Sequence, residues 1–286
     1  MNSKLPDNYI LEIKPDTGFF SFNYKEVWQY KYLLALLVRR DFITMYKQTI
    51  LGPLWFVVQP IITTLLFMLV FGGIAKMSTD GMPQALFYMA GIISWNYFSE
   101  VLAITSETFI QNAYLFGKVY FPRIIVPISV ACSNLITFFV QLLLFLAIFL
   151  YYIFFTNVSL EPNATLVLIP VLLLITAGLG LGLGLLITSL TTKYRDFTYL
   201  IGFSIQLAMY ATPIIYPTSM IEENWIKLLI MANPMSSVIE TFRFAFLGVG
   251  NLSWLGLGYS FCCMLLLLAV GVTIFSRVER KFMDTV

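Results

Sequence analysis

The residues best suited to chemistry form three helical stripes that combine aromatic rings with amide or hydroxyl groups. Spacings of three and four residues place each set on one face of a helix. A ring beside an amide suits a sugar, because it offers a flat apolar surface together with a hydrogen-bonding group. The stripes consist of Phe56, Gln59, Thr63 and Phe67, of Tyr88, Gly91, Trp95 and Phe98, and of Tyr199, Phe203, Gln206 and Tyr210. The alternative interpretation is helix packing with aromatic side chains at a membrane interface.

Residue types needed for several kinds of enzyme are missing from the sequence. There is no histidine, which excludes histidine-ligated haem, the H-E-x-x-H zinc proteases and any mechanism that needs an imidazole base. There is also no G-x-x-x-x-G-K-[ST] loop, so this chain is not expected to hold ATP in the P-loop manner. We therefore predict no catalytic residue, no metal site and no cofactor in this chain.

Composition places the chain in a membrane. Hydrophobic residues make up 59% of it and charged residues 11%, against about 25% charged in soluble domains. The net charge of +2 gives no reason to expect a nucleic-acid partner, because the basic residues lie at the boundaries of apolar segments. Membrane lipids are therefore the expected surroundings.

Long apolar segments predict an all-α integral membrane protein with six transmembrane helices. Gly52 and Pro53 mark the corner at which the first span begins. The spans lie at about 54–74, 86–110, 124–155, 166–190, 197–216 and 254–275. The glycines of the fourth span predict close helix packing through G-x-x-x-G pairs; they are Gly178, Gly180, Gly182 and Gly184.

Two regions of the chain are apolar but too short to cross. After a tail at 1–24, an amphipathic helix within 25–50 is predicted to lie along the membrane surface with its basic face to water. Between spans five and six, residues 224–247 hold two short pieces separated at Asn233–Pro234, which predict a re-entrant helical pair. The transmembrane domain is 51–277, and residues 278–286 form a C-terminal tail.

Charge orients the predicted spans. With the N-terminus inside, only Lys76, Lys227 and Arg243 of the 17 lysines and arginines fall outside the cell, and the other 14 are cytoplasmic. The positive-inside rule therefore predicts that both termini are cytoplasmic and that the re-entrant pair faces outward. Glu100, a carboxylate within a span, is interpreted as a buried or cavity-lining contact, with proton coupling as the alternative.

Five pieces of the sequence resemble the permease subunits of ABC-2 type exporters that move O-antigen, capsule or teichoic acid polysaccharides. Their order relative to the six spans matches as well. The pieces are Arg39–Pro60, Gly117–Ser129, Lys193–Phe197, Thr212–Pro217 and Asn233–Arg243.

This resemblance implies a multi-pass protein of the bacterial cytoplasmic (inner) membrane. It implies a homodimer of this chain with two copies of a separate ABC ATPase that binds ATP and Mg²⁺. A lipid-linked glycan, O-antigen by expectation, would pass outward through a channel between the two permeases. The three aromatic stripes, apart from Gly91 and Phe98, are the residues we predict to line that channel.

The resemblance also implies two further functional regions. The ATPase is expected to dock on a cytoplasmic surface in which Tyr120 and Phe121 are exposed aromatics, and the re-entrant pieces are expected to shape an outer gate. The coupling residues are Arg39, Arg40, Asp41, Lys118, Tyr120, Phe121 and Arg123. The gate residues are Pro213, Tyr216, Asn233, Pro234, Glu240 and Arg243.

Two other classes of protein were weighed against this one. An ABC-2 exporter of a drug or small lipid shares the six-span plan but would carry fewer aromatics on its dimer-facing stripes. An intramembrane glycosyl- or acyltransferase would need an acid or histidine cluster on one face, and the sequence has none. We therefore expect a transporter subunit and not an enzyme.

Overall fold

The described part of the chain is helical and contains no strand. The computed structural model describes residues 28–47, 49–119, 121–156, 160, 162–194, 196–250 and 252–283. Its helices are α1 (Lys31–Tyr46), α2 (Trp55–Phe67), α3 (Gln84–Ser106), α4 (Thr108–Gln111), α5 (Ala113–Phe116), α6 (Ile125–Phe155), α7 (Ile169–Lys193), α8 (Asp196–Tyr210), α9 (Asn224–Met231), α10 (Pro234–Leu247) and α11 (Trp254–Met283). This confirms the predicted all-α class.

Four helical segments are long and apolar enough to cross a membrane: Gly52–Ile74, Ile125–Phe155, Ala164–Lys193 and Trp254–Glu279. They correspond to the predicted spans one, three, four and six. The first begins with a short 3-10 turn in which Gly52 adopts a φ of 53° and Pro53 follows it. A left-handed glycine before proline changes the chain direction there, so the predicted corner is confirmed.

The other two predicted spans differ from the sequence boundaries. Helix α3 ends at Ser106, and a separate turn, Thr108–Gln111, follows where a continuous span to 110 was expected. Helix α8 ends at Tyr210 and not at 216. Proline lacks an amide hydrogen and disfavours helix in the residue before it, so Pro213 and Pro217 hold the following segment out of the helix.

Helix α3 lies at the centre of the molecule. Its neighbours are α2, α6, α7, α8 and α10, and most of its side chains from Leu86 to Leu102 are buried. A helix covered by other helices need not be apolar all round, which explains the polar residues in its sequence.

The glycines of α7 let it approach two helices closely. A Cβ at Gly182 would lie 2.8 Å from the backbone carbon of Leu267 in α11, and one at Gly184 would lie 2.6 Å from Cβ of Thr105 in α3. Gly178 likewise faces α11 and Gly180 faces α3. The predicted close packing is confirmed, with alternate glycines serving opposite neighbours.

Helix α1 is shorter than the predicted 25–50, and residues 25–27 and 48 lie outside the described residues. It packs against α6. Its inward side chain, Leu37, is 2% exposed. Leu37 belongs to an apolar group, here called the phenylalanine cluster: Leu37, Phe109, Phe116, Phe121, Ile125, Val126, Leu185 and Phe275.

The last helix also differs from its prediction. Helix α11 runs to Met283, whereas the sequence suggested a span ending at 275 and a tail from 278. Arginine, glutamate and lysine are good helix formers, so the charged end extends the helix beyond its apolar part. Residues 284–286 of the predicted tail lie outside the described residues.

Candidate functional site

Arg243 is the centre of a buried cluster that joins three parts of the chain. It lies on α10 and is 3% exposed. Its Nε donates to the carbonyl of Phe87 at 3.2 Å, Nη1 donates to the carbonyl of Pro213 at 2.6 Å, and Nη2 donates to the carbonyl of Ile214. The guanidinium carbon also lies 3.7 Å from the centre of the Phe87 ring. One side chain thus links α10 to α3 and to the turn after α8.

The end of helix α8 at Tyr210 explains why an arginine is needed to bond the carbonyls that follow it. Carbonyls that leave a helix lose their intrahelical partners, and buried carbonyls without partners are costly. Arginine presents five donors in a planar fork and can serve several carbonyls at once. Gly91 leaves the space for it, since a Cβ there would lie 2.8 Å from Nη2 of Arg243.

Glu240 lies one turn before Arg243 and is 5% exposed. The hydroxyl of Thr218 donates to its Oε1. Burial raises the pKa of the Glu240 carboxyl, while the Thr218 hydrogen bond and the charge of Arg243 act in the opposite direction. In the same region, the hydroxyl of Ser219 donates to Oδ1 of Asp80 at 2.8 Å.

The remaining predicted gate residues belong to the same neighbourhood. The side-chain amide of Asn233 donates to the hydroxyl of Thr212 at 2.8 Å, and its oxygen caps α10 by accepting from the amide of Met235. Ser260 of α11 donates to the carbonyl of Pro234 at 2.7 Å. The Tyr216 hydroxyl donates to the carbonyl of Tyr210. The structure therefore brings together the residues predicted as a gate, with Arg243, itself one of them, at the centre.

The three aromatic stripes do not share one surface of the single chain. On α3, Tyr88 and Trp95 are buried at 0% and 3% exposure. On α2, Gln59 is exposed, Phe56 and Thr63 are half-buried, and Phe67 is buried. Phe56 stacks on Phe42 of α1, and Phe67 contacts Tyr88 edge-on at 6.0 Å between ring centres. The aromatics of these two stripes therefore serve the packing of the chain itself.

The stripe on α8 is exposed. Tyr199, Phe203 and Tyr210 are 83%, 62% and 50% exposed, and Gln206 is exposed as well.

Glu100 is also exposed on α3. Its carboxylate is therefore not buried within the single chain, and its interpretation as a cavity-lining contact stays a prediction.

The predicted coupling residues divide into an exposed and a buried group. Arg39 and Arg40 are exposed, and Nη2 of Arg40 pairs with Oδ1 of Asp41 at 2.7 Å. Lys118 is exposed, with its ammonium 3.8 Å from the Tyr114 ring centre. Tyr120 lies outside the described residues.

Phe121 is 5% exposed, so its prediction as an exposed aromatic is wrong. It belongs to the phenylalanine cluster, where burial of its ring is more favourable than exposure to water. Arg123 is 5% exposed, and its guanidinium lies 5.0 Å from the Phe116 ring centre. Burial lowers the pKa of Arg123, and the charge of Glu279 opposes that shift. Phe121 and Arg123 therefore pack the segment before α6 against α6 and α11.

Sequence reasoning missed Asp80, Phe87, Thr218, Ser219 and Glu279. Asp80 is the only acid in the predicted turn at 76–83, and that isolation was a usable signal. Thr218 and Ser219 follow Pro217 directly, in a turn that no periodic pattern describes. Their partners lie more than twenty residues away in sequence, where spacing rules give no information.

Comparison with known proteins identifies the family. The model of the ABC-2 type transporter family matches residues 32–247. The chain belongs to the ABC-2 type transporter family. The match contains helices α2 to α10 and therefore the whole Arg243 cluster. As an ABC-2 transporter chain, it combines four apolar membrane-crossing segments with a central, largely buried α3.

This ABC-2 chain is similar to O-antigen export permeases of two bacteria. It is 29% identical over 223 residues to the O-antigen export system permease protein RfbA of Myxococcus xanthus. The aligned region covers 78% of this chain and 83% of the relative. It is 25% identical over 254 residues to the O-antigen export system permease protein RfbA of Klebsiella pneumoniae. The aligned region covers 88% of this chain and 94% of the relative.

Proposed function

We propose that this chain is the membrane permease subunit of an ATP-driven exporter that moves a lipid-linked polysaccharide, O-antigen, across the bacterial inner membrane. The observation that carries the proposal is the near full-length similarity to O-antigen export permeases. The similarity extends through the membrane segments and the Arg243 cluster, and is not confined to one motif. ATP hydrolysis is assigned to a separate ABC ATPase, with two copies of each subunit.

The proposed membrane arrangement has six crossings, with α3 and α8 added to the four apolar segments. Helix α3 has 23 residues and a length of about 35 Å, enough for a core of about 30 Å. Helix α8 has 15 residues and a length of about 22 Å, so the turn after Tyr210 completes that crossing inside the protein. Both termini are proposed to be cytoplasmic, and α9 and α10 to form the re-entrant pair on the outer side.

The proposed glycan path uses the exposed α8 stripe. Tyr199, Phe203, Gln206 and Tyr210 offer rings and an amide that the chain's own core does not cover. Gln59 on α2 is the exposed member of the first stripe. Stacking has little directional bonding to break, so rings let a long polymer slide.

The proposed contact surface for the ATPase is the exposed basic part of the coupling set. Arg39, Arg40 and Lys118 are accessible. Phe121 and Arg123 support this surface from within. Movement of a docked ATPase would reach α6 and α11 through the phenylalanine cluster.

The experiment that tests this function deletes the gene for this chain and complements the deletion strain with a plasmid that carries the gene. We expect loss of surface polysaccharide with accumulation of lipid-linked glycan on the cytoplasmic side, and recovery of both with the plasmid. Unchanged surface polysaccharide in the deletion strain, together with altered export of a small lipid or drug, would support the small-substrate exporter instead.

A further inference from the structure

A cavity of about 130 Å³ lies beside the Arg243 cluster. It forms where loop 75–83, the turn Thr218–Met220 and helix α10 meet. The side chains that give it chemical character are Asp80, Phe87, Thr218, Ser219, Glu240 and Arg243. The proposed glycan path along α8 does not use it.

The two acids of the cavity are held in place by one short turn. Thr218 donates to Glu240, and its neighbour Ser219 donates to Asp80 at 2.8 Å. Glu240 is 5% exposed, so its carboxylate forms the deep wall. Asp80 is half-buried and Ser219 is exposed, so they form the mouth. The cavity therefore has a fixed polar wall and an open entrance.

The donors and acceptors around the cavity decide what kind of ligand suits it. A metal cation needs acceptors alone and would meet the positive charge of Arg243. An anion needs donors alone and would meet the acids Asp80 and Glu240. A hydroxyl group is both donor and acceptor. Glu240 and Asp80 accept hydrogen bonds. Arg243 has five N–H donors, of which three bond carbonyls, so it can still donate. Acceptors and a donor side by side therefore suit a ligand with several hydroxyl groups.

The size of the cavity limits that ligand to one ring. A cavity of roughly 150 Å³ in another protein holds a molecule of benzene, and 130 Å³ is close to that volume. A single six-membered sugar ring can enter by one edge, but a polysaccharide chain cannot thread through. One edge of a sugar presents two neighbouring hydroxyls, one for each of the two acids that line the cavity.

We propose that this cavity binds one sugar ring of the exported glycan through a pair of neighbouring hydroxyl groups, which donate to Glu240 and Asp80. The class of ligand rests on the proposed function, whereas the site itself rests on the cavity. On the proposed outer side, the site would hold one unit of the polymer weakly as it leaves. Weak binding at successive sites is what conduction of a long polymer requires.

The test uses a cysteine in the lining of the cavity as a reporter. Val249→Cys is introduced into the full chain with Cys132, Cys262 and Cys263 replaced, and the protein is placed in lipid nanodiscs. A charged methanethiosulfonate reagent then labels the new thiol. The ligand probe is the repeat-unit oligosaccharide released by mild acid from the surface polysaccharide of the parent cells. Val249 lines the cavity at a half-buried position, and its side chain holds neither acid in place, so this substitution leaves the proposed hydrogen bonds intact.

We expect the oligosaccharide, at ten times its Kd, to slow labelling by about tenfold, because only about one site in ten is then free. Glu240→Gln in the same protein should remove the protection, since an amide replaces one of the two acids. Asp80→Asn, at a half-buried position, should also remove the protection. It replaces the Glu240 variant as the test if that variant folds poorly. A cysteine introduced as Glu222→Cys, at an exposed position near the turn, is the matched control and should label at one rate throughout.

Three results would overturn the inference: labelling of Val249→Cys that the oligosaccharide does not slow, protection that survives both acid substitutions, or protection by Ca²⁺ alone without sugar. Export in the restored deletion strain is measured separately. Normal export without protection rejects this site and leaves the proposed function standing, whereas loss of the export phenotype rejects that function itself.

Discussion

At the scale of the residue, Arg243 shows how one side chain stabilises the turn at which a helix ends. Its three nitrogens bond carbonyls of Phe87, Pro213 and Ile214. The sequence indicated that Arg243 was unusual, as one of three basic residues placed outside. It could not indicate the partners, because they lie 29, 30 and 156 residues away and no periodic pattern connects them.

Arg243→Lys tests this role. A lysine ammonium keeps the charge but cannot direct donors to three carbonyls from a planar fork. We expect the free energy of unfolding to fall by about 2–4 kcal/mol, since buried carbonyls lose their partners. The measurement is thermal unfolding of the purified protein in detergent. Arg40→Lys, at a side chain that is 41% exposed, is the control and should change stability little. Equal stability of the two variants would contradict the assigned role.

At the scale of the element, the same type of residue does different work on different helices. Sequence spacing correctly placed aromatic residues on single faces of α2, α3 and α8. It could not tell which face would be covered, because α3 acquires its cover from helices distant in sequence. Phe121 was misjudged for the same reason, because the cluster that buries it includes Leu37 and Phe275 from helices distant in sequence.

A pair of substitutions distinguishes aromatic residues that line the proposed glycan path from those that pack the helices together. Phe203→Ala on α8 removes a ring that is 62% exposed, so we expect normal protein abundance and reduced surface polysaccharide. Phe67→Ala removes a buried ring in contact with Tyr88. It should cost about 3–5 kcal/mol and lower abundance. Membrane-inserted protein and surface polysaccharide are measured in the same cells. Full export by Phe203→Ala would remove that ring from the path.

The glycines of α7 allow a second test at this scale. A Cβ at Gly182 would meet the backbone of α11, which cannot move aside as a side chain can. We expect Gly182→Ala to destabilise the protein by about 1–3 kcal/mol, as overpacking does. Gly202→Ala on α8 is the matched control, because nothing lies within 4 Å of its Cβ position. It should be neutral or slightly stabilising, since alanine favours helix. Similar melting temperatures for both variants would argue against close packing of α7 on α11.

At the scale of the whole molecule, the sequence predicted the helical class and four membrane segments correctly, because long apolar runs have one physical explanation. The two further crossings, which we propose for α3 and α8, were harder to delimit from the sequence. Helix α3 is polar in part because protein covers it, and α8 is short because its end is completed by a turn. Hydropathy measures neither effect.

Accessibility of single cysteines tests the proposed orientation. In a chain without native cysteines, we expect Ser78→Cys and Glu222→Cys to label from outside intact cells, and Lys118→Cys and Lys193→Cys to label only after the membrane is opened. The physical reason is the uneven distribution of lysine and arginine across the proposed sides. Each variant also needs a normal amount of inserted protein. Labelling at position 193 from outside would falsify the six-span arrangement.

The most direct measurement of the central claim follows lipid-linked glycan in inverted inner-membrane vesicles. Outward export becomes movement into the vesicle lumen, where glycan is protected from an added glycan-cleaving enzyme. With this chain and its ATPase present, we predict protection that grows with time and requires ATP. Vesicles that lack either subunit should show none, because the chain has no P-loop and the ATPase has no path. Equal protection without this chain, or protection that does not depend on ATP, would contradict the account.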